Sequence, residues 1–225
     1  MPAPYTTRPV RNADGSVPAD FYNEDYWEHG DASGRGSYNG NDYHDQLELC
    51  KYWAKDTYDK YGPFKTYLEL GCGRGWAIWG FLNLPELSVN PSGIDISHYA
   101  ITTAHPDVQR HLIEHDISDL SFLDKQSVDF IFSNDVLEHL TVEQIKLCLS
   151  YCGQIAKSRI VHLVSIGDGV DHNGVVPNDQ DQSHITLMSY AWWMDMFASA
   201  FPVDNWQVVS TQRDRTVDFV VTRRE

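Results

Sequence analysis

Three glycines spaced two apart, Gly71, Gly73 and Gly75, follow the apolar run "FKTYLEL". A chain breaks this way where backbone must press close to a ligand, because glycine carries no Cβ and tolerates positive φ. A dinucleotide site would read GxGxxG after its strand, and here the place of the third glycine holds Trp76. A phosphate-binding loop needs GxxxxGK followed by Ser or Thr, and no Lys follows these glycines. Both phosphate readings fit poorly. Twenty residues beyond Gly75, Asp95 in "GIDIS" offers a carboxylate that can accept hydrogen bonds from a ligand. "EHDI" ends in the same manner at Asp116 and Ile117, and "SNDVLEHL" gathers Asn134, Asp135, Glu138 and His139. His139 and the distant His184 are side chains suited to taking a proton near pH 7.

A second polar concentration lies between residues 167 and 186, where Asp168, Asp171, His172, Asp179, Asp181 and His184 crowd together. They could hold a metal, but no ligand spacing there is diagnostic, and no metal is expected. Cys50, Cys72, Cys148 and Cys152 form no CxxC pair. They read as small buried thiols, in keeping with a reducing cytoplasm.

The elements that must position these residues follow from periodicity. Residues 42–62 have helical spacing and stop at Gly62-Pro63. Strands are expected at 65–70, 92–96, 110–116, 127–134 and 159–166, alternating with helices at 75–84, 97–106 and 141–158. Ser97 caps the second of these helices, and Thr141 with Gln144 forms a capping box on the third. After the polar loop come a helix at 189–201 and two last strands at 206–211 and 217–223. Such alternation predicts a Rossmann-like, doubly wound α/β sheet with helices on both faces and the site beyond the strands' carboxyl ends. The first forty-one residues stand apart as a flexible arm with the aromatic-acidic centre "FYNEDYWEHG", and residues 42–225 form one domain.

Bulk composition removes several classes of function. A net charge of -15 with no Lys/Arg cluster before "TRRE" points away from nucleic acid and from anionic membrane surfaces. No stretch nears the roughly 20 apolar residues of a membrane span, and "MPAPYTTRPVRNADGS" lacks the apolar core of a signal peptide. A soluble cytoplasmic protein is expected; the oligomeric state is not legible.

From Tyr67 onward the chain resembles the class I S-adenosylmethionine-dependent methyltransferases, whose first motif reads E/D-x-G-x-G-x-G, as Glu69 to Gly75 does here. The "VLEH" of "SNDVLEHL" is similar to the segment found in the small-molecule and glycan members, and "DQSHITLMSYAWW" resembles a D-x-[ST]-H-[IV] stretch of the same group. The resemblance implies a seven-stranded, mostly parallel sheet whose last strand is antiparallel. It implies S-adenosylmethionine as cofactor, held by Glu69, Gly71, Cys72, Gly73, Gly75, Asp95, Ile96, Asp116, Ile117, Asn134 and Asp135. By the same resemblance Asp95 takes the ribose and Asp116 faces the adenine amino group. The arm becomes a lid that brings Tyr22 and Tyr26 to the cofactor, and His139 and His184 face the acceptor as base or positioner.

The function expected is methyl transfer to a hydroxyl of a small molecule or sugar. A small-amine N-methyltransferase and a non-catalytic cofactor-binding protein stand as alternatives. A base-modifying enzyme would carry [DNS]PP[YFW] after the fourth strand, where this chain reads "SNDV".

Overall fold

The computed structural model describes residues 11–29, 43–167, 183–213 and 215–224. Its centre is a seven-stranded sheet in the order β3-β2-β1-β4-β5-β7-β6. The strands are β1 (Thr66–Leu70), β2 (Asn90–Asp95), β3 (Leu112–Glu114), β4 (Val128–Asn134), β5 (Ala156–Ser165), β6 (Trp206–Arg213) and β7 (Thr216–Arg223). The first five run parallel. Only β7 is reversed, pairing antiparallel with β5 on one side and β6 on the other. The order turns back between β1 and β4, which opens the crevice where doubly wound sheets bind ligands.

Alternation along the inner strands divides the core. Tyr67, Phe130 and Val161 pack on one face with α1 (Tyr43–Tyr61) and α2 (Trp76–Leu82) through Ala54, Tyr61 and Phe81. Leu68, Ile131 and Ile160 turn to the other face, against α5 (Val142–Ile155) and α6 (Tyr190–Ala200). Period-two side chains on buried parallel strands must supply two cores, so these segments are apolar nearly throughout. Phe197 of α6 stacks on Phe219 of β7 with ring centroids 4.0 Å apart and planes within 6°. Of the aromatic pair in α6, Trp193 is fully buried in this core, with Trp192 half-buried beside it.

Among the boundaries that differ from the sequence expectation, those of α5 and β3 have a clear cause. The helix expected over 141–158 ends at Ile155, and residues 156–158 open β5 instead. The Arg223 guanidinium donates to the carbonyls of Gly153 and Ala156, and Ala156 already pairs with Val128, so the last helical turn yields to the sheet. The strand expected over 110–116 shrinks to Leu112–Glu114, at the sheet's edge with a single neighbour, β2. A short helix not foreseen, α4 (Pro106–Gln109), follows α3 (His98–Thr103). Proline suits its first position, where an N–H would have no partner.

Candidate active site

At the exit of β1 the chain turns through three left-handed glycines, with φ of +66° at Gly71, +54° at Gly73 and +73° at Gly75. The N–H groups of Gly71 and Cys72 both donate to the Ile94 carbonyl, at 2.8 and 3.1 Å, tying the turn to β2. A Cβ on Gly71 would collide with Val136, and one on Gly73 would lie 2.8 Å from the Trp27 ring. Backbone freedom and close approach are therefore both required here.

The carboxylates ring this turn. Asp95 is 8% exposed and accepts from Gly73 N at 2.7 Å and Ser97 N at 2.8 Å. Burial raises its pKa against the pull of those N–H groups. A carboxylate has about four acceptor sites, so capacity for ligand hydroxyls remains. Asp116 accepts from Ser118 N and from Gln144 Nε2, and Gln144 also closes the capping box with Thr141. Asp135 sits at φ +51°, uncommon for a residue with a side chain; its Oδ1 accepts from Ser165 Oγ at 2.8 Å. Glu69 keeps a buried Oε2 without a hydrogen-bond partner. Burial first, and the charge of Asp95 second, push its carboxyl up to about 8.

The described part of the arm lies against this edge. A 3-10 turn at Ala19–Phe21 and a π-helical turn at Asp25–His29 present Tyr22 and Tyr26, whose rings meet edge-to-face at 5.0 Å. Trp27 Nε1 donates to Ser97 Oγ at 2.9 Å, and that hydroxyl donates to the Tyr22 carbonyl. It also accepts from Ala100 N as the cap of α3. Glu28 accepts from the Arg74 guanidinium and from the Tyr99 hydroxyl.

On the acceptor side, "LEH" forms a single 3-10 turn, Leu137–His139, before Thr141 starts α5. His139 Nδ1 lies 2.8 Å from Ser183 Oγ and 3.5 Å from the Tyr22 hydroxyl. The ring of His184 meets it edge-to-face at 4.6 Å. Glu138 points inward and is fully buried; its Oε1 accepts from Ser165 N at 2.8 Å. Burial, then the Asp135 charge, lift its carboxyl to about 7, while His184 pulls the other way.

One cavity joins these parts. Of the residues named from sequence, Tyr22, Tyr26, Gly71, Asp95, Ile96, Asp116, Ile117, Asn134, Asp135 and His139 line it. Glu69, Cys72, Gly73, Gly75 and His184 do not. The Cys72 side chain packs into the core beside Ile78, and its sulfur fills the space a Cβ on Gly93 would need. Gly73 lies beneath Trp27, Gly75 faces Val108 and Leu112, and His184 is 8% exposed beside His139. Sequence reasoning missed Val17, Trp27, His115, Val136, Leu140 and Gln144 as lining residues. Only Trp27 and Gln144 carried a usable signal, the aromatic arm and the capping box. Asp168, Asp171, His172, Asp179 and Asp181 lie outside the described residues. Among the described residues no group of three or more His, Cys, Asp or Glu is arranged to hold a metal.

Residues 68–159, from the first strand into the fifth, match the family described as Methyltransferase domain. Over this stretch the chain is similar to that family. The residues present fit S-adenosylmethionine: a glycine turn for close approach, a carboxylate at the end of β2, and no lysine among the lining residues to take a phosphate. The methyltransferase fold is also found among solved structures. A SAM-dependent methyltransferase from Archaeoglobus fulgidus is 16% identical, with a TM-score of 0.57 over 78% of this chain and 94% of its own. The plantazolicin methyltransferase BpumL in complex with SAH is 15% identical, with a TM-score of 0.57 over 81% and 85%. A complex between the Haloferax volcanii Trm112 methyltransferase activator and a methyltransferase gives 16% and 0.52, over 78% and 98%. A comparison with curated proteins found no match.

Proposed function

We propose that the chain transfers a methyl group to a hydroxyl of a small molecule or sugar, as a member of the "VLEH" subgroup acting in the cytoplasm. The observation that carries this reading is the lining of the one cavity described: glycine turn and carboxylates on one side, His139 and the arm's tyrosines on the other. Bound S-adenosylmethionine supplies a methyl group on a sulfonium, already a strong electrophile. The work left to the protein is alignment, exclusion of water and removal of a proton, and alignment alone can supply about 7–11 kcal/mol.

Each part has a residue for its task. Asp95 and Asp116 hold the adenosine end, with Ile96 and Ile117 beside the ring. Glu69 and the glycine turn approach the amino-acid end, with Asn134 and Asp135 nearby. Residues 1–41 act as a lid over the domain of residues 42–225, which Tyr22, Tyr26 and Trp27 support by lining the cavity. His139 would receive the proton that the acceptor hydroxyl gives up. Ser183 and Tyr22, both within reach of Nδ1, hold its ring. BpumL, resolved with desmethylPZN analogs and SAH, supports a cleft that admits donor and acceptor together. Four buried free thiols among the described residues fit a reducing compartment.

A small-amine acceptor is the second reading, and one observation favours it. The lining carries three carboxylates and three arm aromatics but no Lys or Arg, surroundings that suit a cation. Calorimetric titration with S-adenosylhomocysteine, on the wild type and on Asp95→Ala, tests the cofactor site. An acceptor panel of alcohols, sugars and amines then separates the two acceptor classes. Absence of binding to the wild type, with and without candidate acceptors, would sink the reading.

A further inference from the structure

Glu138 is buried at the acceptor side of the cavity, yet half of its carboxylate has nothing to bond. Oε1 accepts from Ser165 N, while Oε2 is buried without a hydrogen-bond partner. A carboxylate oxygen left this way carries a desolvation cost. The backbone around it is rigid. The Glu138 carbonyl accepts from Ile185 N and Thr186 N, both at 2.9 Å, which fixes the residue just before them, His184. His184 in turn rests edge-on against His139, the histidine that lines the cavity. Among the described residues, the groups around the Glu138 carboxyl include Asp135 from the β4 exit, Ser165 from the end of β5, and His184 from the segment before α6. Ser165 binds both acids, through N–H to Glu138 and through Oγ to Asp135.

We propose that Glu138 is a positioning residue that works through His184 to set which of the two adjoining histidines carries a proton. Two imidazolium rings 4.6 Å apart repel, so His139 and His184 titrate as a pair rather than singly. A carboxylate behind His184 draws charge to that ring and keeps His139 neutral, the form that can accept a proton from an acceptor hydroxyl. No bond is made or broken in this role beyond the movement of one proton. It rests on the methyl-transfer reading above and adds a residue to it.

The test does not need the acceptor. Histidine ring protons are followed by NMR against pH in the wild type and in Glu138→Gln, with His139→Gln and His184→Gln for assignment. Glutamine retains an oxygen for Ser165 N, so the strut survives while the charge is lost. The upper of the pair's two midpoints is expected to fall by about one pH unit in Glu138→Gln, with S-adenosylhomocysteine binding within about twofold of the wild type. Midpoints that do not move, in a variant that still binds S-adenosylhomocysteine, would overturn the proposal. So would midpoints that shift in the wild type on adding magnesium or zinc, since the cluster would then belong to a cation. Failure of the wild type to bind S-adenosylhomocysteine is a separate result, which strikes the cofactor reading and leaves the histidine titrations to be judged on their own.

Discussion

Trp27 donates its indole N–H to Ser97 Oγ at 2.9 Å, and Ser97 N donates to Asp95 Oδ1 at 2.8 Å. One serine therefore links the arm to the carboxylate at the end of β2. With one donor and two acceptor sites its hydroxyl is fully used, by Tyr22, Trp27 and Ala100.

Trp27→Phe keeps a ring over Gly73 and removes only the hydrogen bond. The dissociation rate of S-adenosylhomocysteine, read by stopped-flow fluorescence, should rise about 3- to 10-fold. Ser97→Ala should raise that rate as well, and should also lower stability by about 1 kcal/mol because α3 loses its cap. A Trp27→Phe protein that releases the ligand at the wild-type rate would mean that the arm does not gate the cavity.

Asp95→Asn replaces a carboxylate with a side chain that has a single acceptor oxygen. That oxygen cannot serve Gly73 N, Ser97 N and a ligand hydroxyl together. Affinity for S-adenosylhomocysteine should fall about 10- to 100-fold in calorimetry, the loss of one or two charge-assisted hydrogen bonds.

Buried groups make stability depend on pH, with opposing signs. Burial raises the folded-state pKa values of Glu69 and Glu138 to about 8 and about 7, so the folded state holds more protons than the unfolded one from their ordinary 4.5 upward. Their contribution is lost as pH rises through that window and is flat above it. His162, buried with its Nδ1 2.6 Å from Ser133 Oγ, is pushed down to about 3. It therefore destabilises the fold as pH falls below the ordinary histidine value of 6.5. From pH 6.5 to 8 the carboxyls act nearly alone, so the melting temperature should decline across that interval. Glu69→Gln should flatten the decline in a series of thermal melts, and an unchanged slope would exclude Glu69 as its source.

Phe197→Ala removes one of two fully buried rings stacked at 4.0 Å. Truncating a large aromatic in a closed core costs about 3–5 kcal/mol. Denaturant unfolding should show a lowered midpoint with an unchanged slope, and S-adenosylhomocysteine affinity should stay near the wild-type value because α6 lies away from the glycine turn.

Much of the fold was legible because strand, glycine turn and helix follow one another with strong periodicity from Tyr67 to Ile155. The turn itself could be read from glycine spacing, since no other residue allows its φ values beside Val136 and Trp27. What escaped depends on contacts between distant segments. Nothing in "GQIAKS" announces that Arg223, some seventy residues later, ends the helix early. Cys72 lies inside the motif and still turns into the core, because a residue's place in a loop does not fix which way its side chain points. Nothing in "VLEH" shows that Glu138 reaches across to β5 and sits beside His184. Burial of a charge can be seen only once the chain is folded.

The placement of β7 has a consequence for how the molecule is made. It is the last strand in the sequence, yet it lies inside the sheet between β5 and β6. During synthesis β1 to β5 can assemble as they emerge, but β6 has no partner until β7 arrives to separate it from β5. The exposed edge of β5 must therefore wait through the whole of α6 and β6, a span open to pairing with other chains. Shortening the chain before Thr216 would not trim an edge. It would leave that waiting state as the end point, with β6 orphaned and β5 uncovered.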